Sequence, residues 1–120
     1  MSEQITTKDH VFAKIIRHEI PSNIVFEDDE IIAFHDVMPA APKHILVIPK
    51  RDIESAAKAT EDDALILGKM ILRAAAIAKE IGESENGYRL VINTGAAGGQ
   101  TVPHIHIHLL AGRNMTWPPG

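Results

Sequence analysis

Three histidines alternate with two isoleucines in the segment His104-Ile105-His106-Ile107-His108. Because successive side chains of a β-strand point to opposite faces, this segment predicts three imidazoles on one face of a sheet and both isoleucines on the other. A neutral imidazole can attack an electrophile or transfer a proton. The chain contains no cysteine, which leaves histidine or a carboxylate as the candidate covalent nucleophile.

A metal site is a second interpretation of the three histidines, since neutral imidazole is a zinc ligand. On a straight strand that rises about 3.3 Å per residue, the outer two histidines lie roughly 13 Å apart, so all three cannot bind one ion. A third ligand would have to come from elsewhere in the chain, for example from His44 or Asp36. The sequence has no further metal-binding spacing, and we expect neither a metal nor another cofactor.

The segment Gly98-Gly99-Gln100-Thr101 comes just before the histidines. Glycines of this kind can expose backbone N–H groups in a concave turn, which is a binding site for an anion. A Gly-Gly pair between two strands is also typical of an ordinary turn, so the pair does not decide the function alone. Together with the imidazoles, the segment indicates chemistry at phosphorus.

The elements that position these residues follow from the hydrophobic pattern. We predict an α+β fold in which a five-stranded antiparallel meander is covered by one long helix and carries one short helix. The short helix is predicted after Asp9, as N-cap, and before Ile20-Pro21. The long helix is predicted from about Glu61 to Ile81, with Gly82 at its C-cap. The five strands are predicted at 24–26, 31–34, 45–48, 88–92 and 105–110.

Composition and charge restrict the class of protein. The 120 residues, of which 45% are hydrophobic and 23% charged, predict one globular domain over 1–120, with a flexible segment at 1–9. The net charge is −4 and the basic residues are scattered, so we expect no nucleic-acid partner. No segment has the pattern of a signal peptide or a membrane span, which predicts a cytoplasmic protein without a membrane partner.

The histidine segment, followed by Leu109-Leu110, resembles the signature of the histidine triad (HIT) superfamily. Six further segments resemble its Hint branch: Phe12–Pro21, Ala33–Asp36, Ala41–His44, Leu46–Lys50, Gly98–Val102 and Gly112–Gly120. This resemblance implies a HIT-like homodimer whose two sheets join into one. It also implies a purine nucleotide pocket and hydrolysis of nucleoside 5′-phosphoramidates, such as adenosine 5′-monophosphoramidate or aminoacyl adenylate-like substrates, to nucleoside monophosphate and amine.

The resemblance also implies roles for individual residues. His106 is the expected nucleophile, which forms a nucleotidyl-histidine intermediate. His104 and His108 match positions that contact the phosphate and tune the nucleophile, and His44 matches a further histidine of this network. Asp36 matches the carboxylate that binds the ribose hydroxyls. Phosphate-side positions fall on Asn93, Gly99, Gln100 and Thr101, and walls of the base pocket fall on Phe12, Ile15, Ile20, Phe34, His35 and Val37. Within the tail 112–120, near the active site or the dimer interface, Trp117 is expected to contact the dimer partner or the substrate.

Three positions depart from the common pattern of the branch, and they bear on substrate preference. Thr101 stands where many members have serine, Pro103 where many have tyrosine, and Val37 where isoleucine is common.

Two other functions remain as alternatives. A dinucleoside polyphosphate hydrolase or a nucleotidyltransferase of the same superfamily is the nearest alternative, and the ending Trp117–Gly120 argues against it. A nucleotide-binding or metal-binding regulatory module without turnover is the alternative from another class.

Overall fold

The computed structural model describes residues 6–120, and its five strands form one open antiparallel sheet. The strands are β1 (Ile24–Glu27), β2 (Ile31–His35), β3 (Lys43–Pro49), β4 (Arg89–Val91) and β5 (Ile107–Ala111). Their spatial order is β1-β2-β3-β5-β4. The predicted α+β fold is confirmed, but the sheet is not a simple meander because β5 lies between β3 and β4. The last strand alternates buried and half-buried residues and takes an inner position, whereas the three residues of β4 are all half-buried and form the edge.

The long helix α2 (Ala64–Glu80) covers one face of the sheet. Its buried residues recur at helical spacing and pack on the apolar side chains of β2, β3 and β5: Ile66, Met70, Ala74, Ile77 and Ala78. The helix begins after the predicted Glu61, because Glu61–Asp63 forms a 3₁₀ turn in which the Asp63 carboxylate accepts the Thr60 N–H. It ends as predicted, since Gly82 follows with a φ of 81°.

The short helix α1 (Val11–Ile16) covers the opposite face. Its N-cap is His10 rather than the predicted Asp9, because Nδ1 of His10 accepts the Ala13 N–H at 3.1 Å. The helix stops four residues before Ile20. There His18 adopts a φ of 59°, and the Glu19 N–H donates back to the carbonyl of Lys14, which closes a Schellman-type turn.

The segments that flank α1 and β5 are held by arginines. The Arg17 guanidinium donates to the carbonyls of Thr6 and Lys8, both at 2.7 Å, so the described part of the segment 1–9 is attached to α1. The remainder of that segment, residues 1–5, lies outside the described residues. Near the other end, Arg89 donates to the carbonyl of Thr116 at 2.7 Å. Within residues 6–120, none of the helices is long and apolar enough to cross a membrane.

Candidate active site

The structure confirms that the alternating segment divides its side chains between two faces. Ile105 and Ile107 are buried in the cluster under α2, whereas the His106 ring contacts Phe12 of α1. The strand β5 begins at Ile107 rather than at the predicted Ile105. The N–H of Ile105 instead donates to the carbonyl of Ile53 at 2.7 Å. His104 and His106 therefore precede the strand, and they are almost completely buried.

The hydrogen bond of His106 decides which of its nitrogens can react. Its Nδ1 lies 2.7 Å from the carbonyl oxygen of His104, and a carbonyl can only accept, so Nδ1 carries the proton. The neutral ring then has its lone pair on Nε2, which makes no hydrogen bond to another residue within 6–120. The ring of Phe12 meets the His106 ring edge-on, with centroids 5.0 Å apart, and fixes its plane. His106 is thus a neutral imidazole with an available Nε2.

A chain of hydrogen bonds fixes the tautomers of His44 and His108 in the same way. Nδ1 of His44 accepts the backbone N–H of Ala40 at 3.0 Å, so the proton of the neutral His44 ring is on Nε2. That Nε2 lies 2.9 Å from Nδ1 of His108 and donates to it. The proton of neutral His108 is therefore on its own Nε2. The His106 and His108 rings are 4.9 Å apart, which places this donor next to the candidate nucleophile.

Asp36 lies beside this histidine pair at the end of β2. One carboxylate oxygen, Oδ1, accepts the N–H of Met38 at 2.8 Å in an Asx turn. The other oxygen, Oδ2, lies 3.4 Å from Nε2 of His44. Since the carboxylate is only partly buried, it can still accept a hydroxyl from a ligand. The residue that was predicted to bind ribose is therefore adjacent to the histidine network.

Burial keeps the imidazoles of the site neutral. It lowers the pKa of His106 below the ordinary value of 6.5, against the opposing effects of the His104 carbonyl and the Asp36 charge. Burial, followed by the neighbouring His106 and His44, lowers the pKa of His108 to about 4. The pKa values of His44 and His104 are lowered by burial as well. The uncharged form that a nucleophilic imidazole needs is thus favoured at neutral pH.

The donor set Asp36, His44 and His108 is also the one group of potential metal ligands within the described residues, with its ligand atoms within 4.8 Å of one another. Two nitrogens bound to a tetrahedral zinc at about 2.0–2.1 Å are separated by about 3.3 Å. His44 Nε2 and His108 Nδ1 are only 2.9 Å apart and share a proton. The arrangement is therefore that of a hydrogen-bonded pair, and a zinc ion here would have to displace the shared proton and move the two nitrogens apart by about 0.4 Å.

The glycine loop forms the tight turn that the sequence predicts. A Cβ atom at Gly98 would overlap the carbonyl oxygen of Thr94, and Gly99 has a φ of 82°, so both positions require glycine. The N–H of Gly99 donates to Ala96, and the Asn93 amide donates to the carbonyl of Gly98 at 2.8 Å. Thr101 is exposed, and neither its N–H nor its hydroxyl bonds another residue of the described chain. Among the predicted phosphate-side residues, Thr101 therefore has an N–H and a hydroxyl free for a ligand, and the Asn93 amide keeps a second N–H beyond the one bonded to Gly98.

The predicted base-pocket residues fall into two groups. Phe12, Ile15 and Phe34 form a buried cluster with neighbouring side chains of α1, β2 and β3, and Ile20 packs against it. The Phe12 ring links this cluster to His106. His35 and Val37 lie at and beyond the end of β2 and are exposed, as is Trp117. Their predicted contacts with a ligand or partner stay predictions.

Two anchors of the site were not predicted. The carbonyl of Pro49, at the end of β3, accepts a hydrogen bond from Nε2 of buried His104 at 2.7 Å. His10, which the sequence analysis did not place in the site, has its ring 5.3 Å from that of His104 and caps α1. The position of His10 directly before the apolar residues of α1 could have indicated an N-cap. Histidine, however, is not a preferred N-cap residue.

Comparison with known proteins places this geometry in a family. Residues 17–115 match the HIT domain. The chain belongs to the HIT family. It is 57% identical to an uncharacterized HIT-like protein from Synechococcus elongatus, over 95% of this chain and 99% of the relative. It is 53% identical to the 14 kDa zinc-binding protein of Zea mays, over 92% and 87% of the two chains.

Two further matches refine this HIT protein's placement. It is 52% identical to adenylylsulfatase HINT1 of Arabidopsis thaliana, over 92% of this chain and 76% of the relative. Its fold is similar to the crystal structure of a HIT family hydrolase from Legionella pneumophila, with a TM-score of 0.92 and 50% identity over 93% and 100% of the chains. These matches support the Hint-like branch and a nucleotide hydrolase role of the kind found in the superfamily.

Proposed function

We propose that this protein hydrolyses purine nucleoside 5′-phosphoramidates. The observation that supports this reaction best is the hydrogen bond of His106 Nδ1 to the carbonyl of His104, which leaves a neutral Nε2 with its lone pair available. Family membership supports a nucleotide as substrate. The buried Phe12 and Phe34 rings beside His106 offer an apolar wall for a base, and the Asp36 carboxylate offers an acceptor for ribose.

The proposed reaction has two steps at phosphorus. His106 Nε2 forms a bond to phosphorus while the bond from phosphorus to the amine nitrogen breaks, and the amine nitrogen takes up a proton from solvent as the amine leaves. The oxygen of a water molecule then forms a bond to phosphorus while the bond between phosphorus and Nε2 breaks, the water loses a proton to solvent, and nucleoside monophosphate leaves with His106 neutral again. The Nε2–H of His108 is a donor for a phosphoryl oxygen, and the Thr101 N–H and hydroxyl are further donors.

Steady-state hydrolysis of an adenosine 5′-phosphoramidate that carries an amine reporter, in excess EDTA, tests this proposal. We expect turnover by the wild type and a loss of about 10³-fold or more in His106→Gly and His106→Ala, because the nucleophile is removed. A wild type that binds nucleotide without turnover would favour the binding module. Stoichiometric zinc that survives dialysis and is required for activity would contradict the metal-free reaction.

Adenylyl sulfate is a second candidate substrate, since the Arabidopsis relative is named an adenylylsulfatase. The same intermediate on His106 would form with sulfate as the leaving group in place of an amine. Rates of AMP release from adenylyl sulfate and from the phosphoramidate, compared at equal concentration, distinguish the two leaving groups. A dinucleoside polyphosphate in the same assay tests the alternative within the superfamily.

We also propose that the protein is a homodimer whose sheets join through β4. This strand lies at the edge of the sheet and pairs only with β5 among the described strands, so its outer backbone groups are available to a second copy. The outer surface of α2 adds the exposed apolar residues Leu65, Ile71 and Leu72. Sedimentation equilibrium tests this proposal, and a monomer at micromolar concentration would contradict it.

A further inference from the structure

The side-chain amide of Gln100 makes three hydrogen bonds to backbone groups of the chain. Its Oε1 accepts the backbone N–H of Gly95 at 3.0 Å, and its Nε2 donates to the carbonyls of Glu54 at 2.7 Å and Val102 at 3.0 Å. A backbone N–H only donates and a carbonyl only accepts, so these three partners fix the orientation of the amide. Both N–H groups of Nε2 are used, and no donor remains for a phosphate.

These bonds join three separate parts of the chain. Gly95 lies at the start of the glycine loop, Val102 at its exit, and Glu54 on the segment that follows β3. A second bond, from the Ile105 N–H to the carbonyl of Ile53 at 2.7 Å, lies on the other side of His104. The stretch that contains Thr101 and His104 is therefore attached to residues 53–54 at both ends. The backbone carbonyl of His104 in turn accepts a hydrogen bond from Nδ1–H of His106.

The geometry points to Gln100 as a positioning residue that acts through the loop and does not bind the substrate. We name the set of bonds from the Gln100 amide to Gly95, Glu54 and Val102 the Gln100 latch. The latch holds the exposed Thr101 in a fixed place relative to His104 and His106, so that the phosphate-binding donors are in position before a ligand arrives. The effect on turnover rests on the proposed function, whereas the effect on the loop does not.

Two substitutions open the latch in different ways. Gln100→Met has a side chain of similar length without any hydrogen-bonding group of comparable strength. Gln100→Glu keeps an acceptor for Gly95 but places a carboxylate against the carbonyls of Glu54 and Val102. Glu54→Gln is the matched control, since the latch uses the backbone carbonyl of Glu54, which this change leaves in place.

Amide hydrogen exchange in the ligand-free protein is the first measurement. We expect exchange at Gly95, Gly99 and Gln100 to become about tenfold faster in Gln100→Met and Gln100→Glu, as for the loss of one net hydrogen bond, and to be unchanged in Glu54→Gln. Unchanged exchange in both Gln100 variants would overturn the latch. This measurement needs no turnover, so it stands whether or not the phosphoramidate is the substrate.

Steady-state kinetics with the adenosine 5′-phosphoramidate are the second measurement. A displaced loop lowers kcat by about tenfold and leaves KM within about twofold, because the base and ribose sites lie on other elements. A direct contact between Gln100 and the substrate phosphate predicts the opposite division, a raised KM with loop exchange unchanged. That result would overturn the positioning role and restore Gln100 as a ligand-binding residue.

Discussion

The face of the sheet under α2 and the face under α1 are built from the same strands but bury different chemistry. Under α2, residues such as Met70, Ile77 and Leu109 form a continuous apolar cluster with almost no exposure. Under the much shorter α1, apolar side chains adjoin buried imidazoles. Burial of apolar groups stabilises the fold, whereas buried imidazoles must be hydrogen-bonded and lose charge. The comparison indicates that one face provides stability and the other provides reactivity.

The largest expected effect is on the α2 face. Met70→Ala removes a completely buried side chain and should lower the free energy of unfolding by about 2–5 kcal/mol. Urea denaturation measures this change. The control is Glu80→Ala, at an exposed site on the same helix, whose free energy of unfolding should stay within about 0.5 kcal/mol of the wild-type value. We expect the folded variant to keep its turnover. A large loss of kcat at unchanged stability would break the division between the faces.

A smaller effect, on activity, is expected on the α1 face. His44→Asn removes the Nε2–H donor that fixes the tautomer of His108. We expect kcat to fall about tenfold, because the free energy of about one net hydrogen bond corresponds to a factor of this size. His18→Asn, an exposed histidine paired with Glu27, is the control. A loss of less than twofold in His44→Asn would show that the histidine pair does not contribute to turnover.

The smallest expected effect is the response of stability to mild acid. Since the pKa of His108 is about 4 in the folded protein and 6.5 in an exposed imidazole, the unfolded chain binds more protons between these values. The contribution of His108 to stability is therefore complete above pH 6.5 and is lost progressively as the pH falls towards 4. Urea denaturation at pH 7 and pH 5 measures this decline, which should be shallower in His108→Gln. Equal declines in both proteins would contradict a buried, neutral His108.

The local pattern predicted most elements and the division of the histidine segment, since periodicity reports which side chains are buried. It failed where a long-range partner outweighed the local preference. Asp9 is the better N-cap residue by type, yet His10 caps α1 while its ring also lies against His104. The sequence analysis also missed that β5 lies between β3 and β4 in the sheet. The position of a strand in a sheet depends on how much of the whole strand is buried, and the order of strands along the chain does not reveal this.

The candidate site was predicted in composition and only partly in arrangement. The resemblance of motifs indicated Asp36, His44 and the three histidines, and the structure brings Asp36, His44 and His108 together. Gln100 was assigned to the phosphate side, but its amide is used by Gly95, Glu54 and Val102. Nothing in the local sequence around Gln100 reveals a partner at Glu54, which lies 46 residues earlier in the chain.

The sequence by itself determined the residue types that can react, their alternation along one extended segment and the absence of thiol chemistry. Alternation is a property of the extended backbone and needs no knowledge of the partner strands. Only the tertiary structure decided which nitrogen of each imidazole holds the proton. That choice depends on the Ala40 N–H facing His44 and the His104 carbonyl facing His106, and backbone groups take such positions only when the chain has folded.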